Sequence, residues 1–231
     1  GLHNWPGLDI GEIAVHKGPV MASFDQFSVL INGVGGHAAS PHLSSDPILA
    51  ATGIIQSLQQ IVSRRQNPLD SVVVSVTKIE SGTAFNIIPQ DAEFIGTIRT
   101  LSPKTRTSVQ KQFIDICNST AKAYDCNVKV EIKQGYPVTV NTSLESDIAI
   151  EVAKKVVKTE SVKDNLAPSM GAEDFAYMLE NKPGAYIWLG AGKGKSGCML
   201  HNSKYDFNDK IIPLGISYWY NLVHNQLSIG R

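Results

Sequence analysis

The stretch DQFSVLINGVGGHAASPHLSSDPILAATGIIQSLQQIV, residues 25–62, decides the fold of this chain. Its first part places Phe27, Val29 and Ile31 at a period of two, which predicts a half-buried strand over residues 26–31. A glycine-rich turn then leads to Asp46-Pro47, where an N-capping Asp and a Pro at the first helical position predict the start of a helix. The stretch therefore encodes a strand followed by a helix.

The predicted helix has an apolar stripe at spacings of three and four residues, which is typical of a helix with one buried face. We expect its members to point into the core. They are Ile48, Ala51, Ile55, Leu58 and Val62.

The residues after this helix complete a β-α-β-β-α-β unit. Two strands are predicted over residues 71–79 and 93–100, and Ser102-Pro103 repeats the helix-start signal. A last strand over residues 127–133 alternates apolar and charged side chains. This order of elements is that of the split βαβ, or ferredoxin-like, sandwich, which we assign to residues 25–134.

The segment from Gly135 onward has a longer alternation of helices and strands, typical of a second domain. Thr142 and Glu145 form a capping-box pattern at the start of a predicted helix, and a final helix is predicted over residues 213–227. Residues 1–24 do not fit the small unit, so we expect them to pair with residues 135–231. The small unit is then an insertion in an α/β domain.

Charge and composition limit the partners that this chain would have. The 231 residues contain 21 Lys plus Arg and 21 Asp plus Glu, so no overall field favours nucleic acid or a membrane surface. No run approaches the roughly 20 apolar residues of a membrane span, and the start does not resemble a signal peptide. Three cysteines are too few for a disulfide framework, which favours a reducing, cytoplasmic compartment.

Two histidines far apart in the chain are candidate metal ligands. His3 lies in GLHNWPGL, read as a loop beyond a strand end, and His201 lies in CMLHNSKYDFND. The alternative for each is an ordinary surface histidine. Cys198 and His201 have the C-x-x-H spacing, but a structural zinc site normally has a second close pair, and none is present.

Three further residues are candidates for contact with a substrate. His37 lies in VGGHAASPH, where a histidine on a glycine-rich turn could donate a hydrogen bond to an oxyanion or could be incidental. Asn86 and Arg99 are predicted at strand ends of the same sheet. An Arg fork suits a carboxylate, although an Arg at a strand end is more often a solvated charge.

Taken together, these segments resemble the M20 metallopeptidase family, and within it the amidohydrolases that act on N-acyl amino acids, such as hippurate hydrolases and auxin-conjugate hydrolases. The resemblance runs from one end of the chain to the other. The motifs that carry it are GLHNWPGL (1–8), HKGPVMASFD (16–25), GVGGHAASPH (33–42), SDPILAA (45–51), FNIIP (85–89), GTIRTL (96–101), MGAEDF (170–175) and LHNSKYDFND (200–209).

The resemblance implies part of a zinc-peptidase-like α/β catalytic domain with an inserted ferredoxin-like lid that mediates homodimerisation. It also implies two divalent metal ions, Zn or Mn. His3 and His201 match metal ligands, and His37 matches a lid histidine that polarises the scissile carbonyl. Asn86 and Arg99 match substrate-holding groups, with Arg99 the partner of the free carboxylate. The resemblance also implies a pocket lined by Met170, Gly171 and Glu173.

The chain departs from the family pattern at its start. Members of the family carry a further N-terminal half, with a Cys-x-His metal motif and a Glu-Glu pair that includes the general base. This chain begins without Met, inside the first motif, so we expect a fragment with an incomplete metal site and no activity of its own. The expected whole protein is a metal-dependent N-acyl-amino-acid amidohydrolase. The alternatives are a non-catalytic dimerisation and ligand-binding module, or a related dipeptidase.

Overall fold

The computed structural model describes residues 1–193 and 197–227. The strands are β1 (Leu2–Trp5), β2 (Ile13–Val15), β3 (Gly18–Met21), β4 (Asp25–Asn32), β5 (Gly36–His37), β6 (Val72–Ser81), β7 (Ile87–Ile88), β8 (Asp91–Thr100), β9 (Asn127–Gln134), β10 (Thr139–Asn141), β11 (Val162–Lys163) and β12 (Ile187–Gly190). The α-helices are α1 (Pro47–Gln60), α2 (Pro103–Ala123), α3 (Ser143–Val156), α4 (Ala176–Asn181) and α5 (Ile212–Leu227). Across the two described ranges, no helix is both long and apolar enough to cross a membrane.

The chain forms two compact units. The larger unit contains Gly1–Met21, Thr139–Ser169 and Asp174–Arg231, and the smaller unit contains Ala22–Val138 and Met170–Glu173. The chain therefore leaves the larger unit twice, first to build most of the smaller unit and later for the short segment Met170–Glu173.

The smaller unit is a four-stranded antiparallel sheet packed against two helices. The strand order is β6-β8-β4-β9, and the connections follow the β-α-β-β-α-β sequence order. This is the ferredoxin-like arrangement expected from the sequence, and that expectation is confirmed. A separate two-stranded ribbon, β5 with β7, accompanies the sheet.

Aromatic side chains fill the centre of the smaller unit. Phe27, Phe94 and Phe113 are fully buried, with the Phe27 ring 4.5 Å from the Phe113 ring and 6.2 Å from the Phe94 ring between centroids. Gly96 permits this packing, because a Cβ there would lie 2.3 Å from the Phe27 ring and 2.0 Å from the Ser75 carbonyl oxygen. The core therefore depends on a strand position without a side chain.

The buried face of α1 differs from the stripe expected from the sequence. Ala51 and Leu58 are buried as expected, and Ile55 packs partly buried against the core, but Ile48 is 41% exposed and Val62 is 45% exposed. The residues of α1 that are buried are Pro47, Ala50, Ala51, Ile54 and Leu58. The buried face is shifted by about one residue from the expected stripe, because the apolar residues next to the expected positions follow the same spacing of three and four residues.

The larger unit contains a mixed four-stranded sheet in the order β1-β12-β2-β11. β1 runs parallel to β12, with Leu2 opposite Ile187, and β12 runs antiparallel to β2. Helices α3 and α5 contact each other and share a core with the sheet. The start of the chain thus pairs with its C-terminal third.

The start of α3 differs in detail from a capping box. Thr142 is the N-cap as expected, but its hydroxyl donates to the Glu145 carboxylate and makes no hydrogen bond to a backbone N–H of the first turn. The same hydroxyl oxygen accepts from the Gly184 N–H at 3.0 Å and lies 3.1 Å from the Gly184 carbonyl oxygen, an alternative acceptor for its single proton. The residue pattern located the helix start correctly, but it did not predict the contact of the Thr142 side chain with Gly184.

Candidate functional site

His3 lies within strand β1, not in the loop expected from the sequence. The pairing of β1 with β12 places His3 opposite Trp188, a long-range contact that the local residues do not encode. Its Nδ1 lies 2.6 Å from the Asn4 carbonyl oxygen, which accepts the ring proton and leaves Nε2 as the possible ligand atom. Histidines that bind metals commonly donate their other ring N–H to a carbonyl in this way.

His201 lies on an exposed turn with an uncommon backbone conformation. Its φ is +66°, in the left-handed region that residues with a side chain adopt only at a cost. The side chain of Asn4 donates to the Tyr205 hydroxyl, which joins the strand after His3 to the turn after His201. The two histidine-bearing segments therefore meet in the larger unit, while their roles as ligands stay predictions.

The described residues do not form a metal site by themselves. Within residues 1–193 and 197–227, no three His, Cys, Asp or Glu side chains come together in a way that would hold a metal ion. Protein metal sites of the catalytic type use three protein ligands for one zinc ion. His3 has suitable ligand chemistry, but the described residues do not complete a centre.

His37 and Asn86 lie beside each other on the β5–β7 ribbon. His37 pairs with Ile87, and the Ala38 N–H donates to the Asn86 carbonyl oxygen at 3.1 Å. Both side chains are exposed. The expected placement of Asn86 in the same sheet as Arg99 is wrong, because the residues around Asn86 turn away from the main sheet to pair with β5.

The ring of His37 is held in one tautomer. The Ala39 N–H donates to His37 Nδ1 at 3.0 Å, so the proton of the neutral ring resides on Nε2. Nε2–H is then a donor on an exposed side chain of the ribbon. This is the protonation state that a donor to an oxyanion requires.

Arg99 is a half-buried cation that contacts an aromatic ring and a backbone carbonyl. It lies on β8 opposite Val73, with the guanidinium carbon 4.7 Å from the centroid of the Phe24 ring. One terminal nitrogen donates to the Met170 carbonyl oxygen at 3.4 Å. No Asp or Glu of the described residues forms an ion pair with it, and burial lowers the pKa of Arg99 from its ordinary value. The group is therefore suited to an anionic ligand.

The segment Met170–Glu173 lies next to Arg99 in the smaller unit. Its Met170 carbonyl accepts from Arg99, and its Gly171 carbonyl accepts from the Ala22 N–H at 2.8 Å. Met170 and Glu173 are half-buried and Gly171 is exposed. The structure thus brings Arg99 into contact with Met170 and places Gly171 and Glu173 in the same unit, while the contact of these residues with a substrate stays a prediction.

Comparison with known proteins identifies the family. The family model of the M20 peptidase dimerisation domain matches residues 16–125. A hippurate hydrolase from Campylobacter jejuni is 38% identical over 222 residues, which cover 96% of this chain. The chain belongs to the M20 family.

Two other M20-type proteins show the same extent of likeness. An N-acetylcysteine deacetylase from Bacillus subtilis is 34% identical over 96% of this chain. The solved structure of a dinuclear metal-binding M20 peptidase from Bacillus subtilis superposes with a TM-score of 0.79 and 28% identity, covering 99% of this chain. The expected α/β fold class with a dimerisation domain is therefore confirmed.

The chain spans little more than half the length of these M20 relatives. It covers 57% of the hippurate hydrolase, 57% of the deacetylase and 56% of the solved peptidase. The activity, substrates and partners of a whole protein are therefore matters of proposal.

Two of the three cysteines of this M20 chain, Cys117 and Cys126, are buried. Burial raises the pKa of Cys117 to about 12, and burial also raises the pKa of Cys126. Since the thiolate is the nucleophilic form, these two buried thiols are inert at neutral pH.

Two aromatic residues of the site were missed by the sequence reasoning. Phe24 lies under the Arg99 guanidinium, and Tyr205 accepts the hydrogen bond that joins the two histidine-bearing segments. Both lie inside motifs shared with the M20 family, HKGPVMASFD and LHNSKYDFND. For Tyr205 the available signal was an aromatic residue in the same motif as His201, whereas the local sequence around Phe24 offered none.

Proposed function

We propose that this chain is the part of a metal-dependent amidohydrolase that holds an N-acyl amino acid and polarises its amide carbonyl. The whole protein would release a carboxylic acid and an amino acid. The observation that carries the proposal is Arg99, a half-buried guanidinium with no carboxylate partner among the described residues. The names of the relatives, a hippurate hydrolase and a deacetylase, support the same reaction class.

Arg99 is proposed to bind the free carboxylate of the substrate. A guanidinium presents planar paired donors that match a carboxylate, and it remains charged despite its lowered pKa. Partial burial strengthens such a pair relative to one in water. This role favours N-acyl amino acids over neutral amides.

His37 is proposed to donate from Nε2 to the oxyanion that forms when water attacks the amide carbon. Its tautomer is set in advance by the Ala39 N–H, so no rearrangement is needed when charge develops. Asn86, beside it on the ribbon, is proposed to hold the acyl part of the substrate.

His3 and His201 are proposed to supply one nitrogen ligand each to a centre of two divalent ions, Zn or Mn. Bound ions of this kind lower the pKa of a water molecule towards neutrality and so supply a nucleophile. The hydrogen bond from His3 Nδ1 to the Asn4 carbonyl supports this role because it fixes the ring and leaves Nε2 for a metal.

A second candidate function is a non-catalytic module that dimerises and binds ligands. The observation that favours it is the lack of three clustered metal ligands among the described residues. Metal analysis distinguishes the two. About two metal ions per chain in the whole protein support the enzyme, whereas a metal-free dimer that binds N-acyl amino acids supports the module.

The test of the proposed function is the substitution His37→Ala in the whole protein. Removing one oxyanion donor typically lowers kcat about 10²- to 10³-fold, and we expect a loss of this size on N-acetyl or N-benzoyl amino acids. The metal content should not change. Steady-state kinetics and metal analysis on the same preparation measure both.

His42→Ala is the matched control, because His42 is exposed on the same glycine-rich segment and should leave turnover unchanged. Unchanged turnover in His37→Ala would contradict the role of His37. Faster hydrolysis of dipeptides than of N-acyl amino acids would instead indicate a dipeptidase.

A further inference from the structure

The ring of Phe24 lies against the guanidinium of Arg99. The role proposed for this contact rests on the proposed function, in which Arg99 binds the substrate carboxylate. We propose that Phe24 is a positioning residue that holds the Arg99 guanidinium in the orientation needed to bind that carboxylate, and that Gly135 is the position that allows it to do so.

The backbone of Phe24 is fixed on both sides by hydrogen bonds. Its N–H donates to the Tyr136 carbonyl at 2.9 Å, and its carbonyl accepts from the Gly135 N–H at 2.8 Å. The chain around Phe24 is thus paired with the segment that follows β9. The ring leaves this paired segment towards the guanidinium carbon of Arg99, 4.7 Å from its centroid.

Gly135 is the residue that lets the ring lie close to the paired segment. A Cβ on Gly135 would stand 2.4 Å from Phe24 Cδ1 and 2.6 Å from the Phe24 carbonyl oxygen. Distances this short do not occur between non-bonded atoms, so any side chain at this position would displace the ring or its backbone. The position of the Phe24 ring therefore requires glycine across from it.

A buried ion pair fixes the residues on either side of this contact. Arg106 Nε donates to Asp25 Oδ2 at 3.0 Å, and Arg106 Nη2 donates to the Gly135 carbonyl at 3.3 Å. Asp25 is fully buried, and Gln110 donates to it at 2.8 Å. Because Asp25 follows Phe24 directly, one charged group holds both the segment of Phe24 and the segment of Gly135.

The chemistry of the contact explains why an aromatic ring suits this place. The ring face attracts a guanidinium, and the attraction grows when both groups are partly removed from water. A guanidinium stacked on a ring keeps its N–H groups, which lie in its own plane, for hydrogen bonds at its edge. Phe24 thus stabilises the Arg99 charge without using the donors that a carboxylate needs. An aliphatic side chain would fill space but would not orient the cation.

The experiment compares Phe24→Leu and Phe24→Tyr in the whole protein. The substrates are an N-acyl amino acid and its carboxamide analogue, which lacks the negative charge. We expect Phe24→Leu to raise KM for the acid about 5- to 30-fold, as the loss of a contact of this class predicts. We expect kcat to stay within about two-fold and KM for the carboxamide to be unchanged, since the contact acts through the carboxylate receptor.

Phe24→Tyr keeps the aromatic face, so it should retain the wild-type KM for the acid. If Phe24 had only a structural role, the substitution would raise KM for the acid and for the carboxamide equally. An equal rise in both KM values would therefore overturn the proposal. If Phe24→Leu lowers the Tm by several degrees, Phe24→Met replaces it, and the ratio of the two KM values decides in the same way.

Arg99→Met, measured beside them, separates this proposal from the function on which it rests. A selective rise of KM for the acid in Arg99→Met, with no change in Phe24→Leu, would overturn the role of Phe24 and leave the carboxylate receptor intact. No selective effect in Arg99→Met would instead overturn the proposed role of Arg99.

Discussion

His16 is a buried histidine that the proposed reaction does not use. It is 6% exposed, its ring meets the edge of Trp188 at 5.4 Å, and its Nε2 has no hydrogen-bond partner within the described residues. Burial lowers the pKa of His16 below its ordinary 6.5, an effect that the Asp164 charge partly opposes. Protonation of the folded chain therefore costs more than protonation of the unfolded chain.

We expect this histidine to make the chain less stable in mild acid. With a lower pKa in the folded state, the unfolded chain binds more protons, so the free energy of unfolding should fall as the pH drops below about 6.5. His16→Gln should flatten this part of the pH dependence. Urea unfolding at pH 7.5 and pH 5.5 measures the difference.

His42→Gln is the matched control for this measurement, since His42 is exposed and should leave the pH dependence unchanged. An equal loss of stability in His16→Gln and in the unsubstituted chain between the two pH values would contradict the role of His16.

Single residues show where sequence reasoning about the site succeeds and where it stops. His37, Asn86 and Arg99 could be named because each lies in a short motif with a recognisable chemical type. The contact between Phe24 and Arg99 could not be named, because it joins residues far apart in the chain through the register of β4 with β8. The tautomer of His37 likewise follows from one backbone contact that no pattern encodes.

Helix α1 is an element whose start was predicted correctly in chemical detail. Asp46 is the N-cap, and its Oδ1 accepts from the Ile48 N–H at 2.8 Å and the Leu49 N–H at 3.2 Å. Pro47 follows at the first helical position. Local sequence was sufficient here because the cap is made by residues within three positions of one another.

Asp46→Ala should destabilise the smaller unit by about 1 kcal/mol, because two N–H groups of the first turn lose their acceptor. Urea unfolding, with the midpoint and slope fitted together, measures the loss. Asp46→Asn keeps a side-chain oxygen and should lose only a fraction of this amount. Equal losses in the two variants would show that the negative charge, not the hydrogen bonds, stabilises the helix start.

The face of α1 was harder to predict than its start. Adjacent apolar pairs, Ile54-Ile55 and Ile61-Val62, allow two overlapping stripes, and periodicity alone does not choose between them. Packing on the sheet buries Ile54 and Ile61 and leaves Val62 and Ile48 exposed at more than 40%. This part of the chain therefore has apolar side chains that the core of the smaller unit does not bury.

At the scale of the whole molecule, we propose that this surplus surface of α1 contributes to a homodimer. The match of residues 16–125 to a dimerisation domain supports the proposal, and so does the exposure of Ile48 in α1 and of Val62 in the π-helical turn Ile61–Arg65 that follows α1. Exposed apolar side chains in a row are typical of surfaces that another protein covers.

Light scattering of the chain should give about twice its mass of 25.0 kDa. The double substitution Ile48→Lys with Val62→Lys should shift the mass towards that of one chain, because two charges would lose their water at the interface. Gln56→Lys, exposed on another side of the same helix, is the control and should keep the dimer. A dimer that survives the double substitution would locate the interface elsewhere.

The architecture was predicted better than its long-range pairings. The ferredoxin-like order of the smaller unit follows from local patterns, because its strands and helices succeed one another along the chain. The placement of His3 in a strand could not be predicted, since Leu2–Trp5 has little strand character and is defined by its partner near residue 188.

The pairing of β1 with β12 limits the order in which the two units can fold during synthesis. Strand β1 meets β12 only after the ribosome has synthesised residue 190, whereas the four strands of the smaller sheet all lie between Asp25 and Gln134. The smaller unit can therefore finish folding while the larger one still lacks a strand. Until then strand β2, Ile13–Val15, can pair with β11 but lacks the neighbouring strand on its other side.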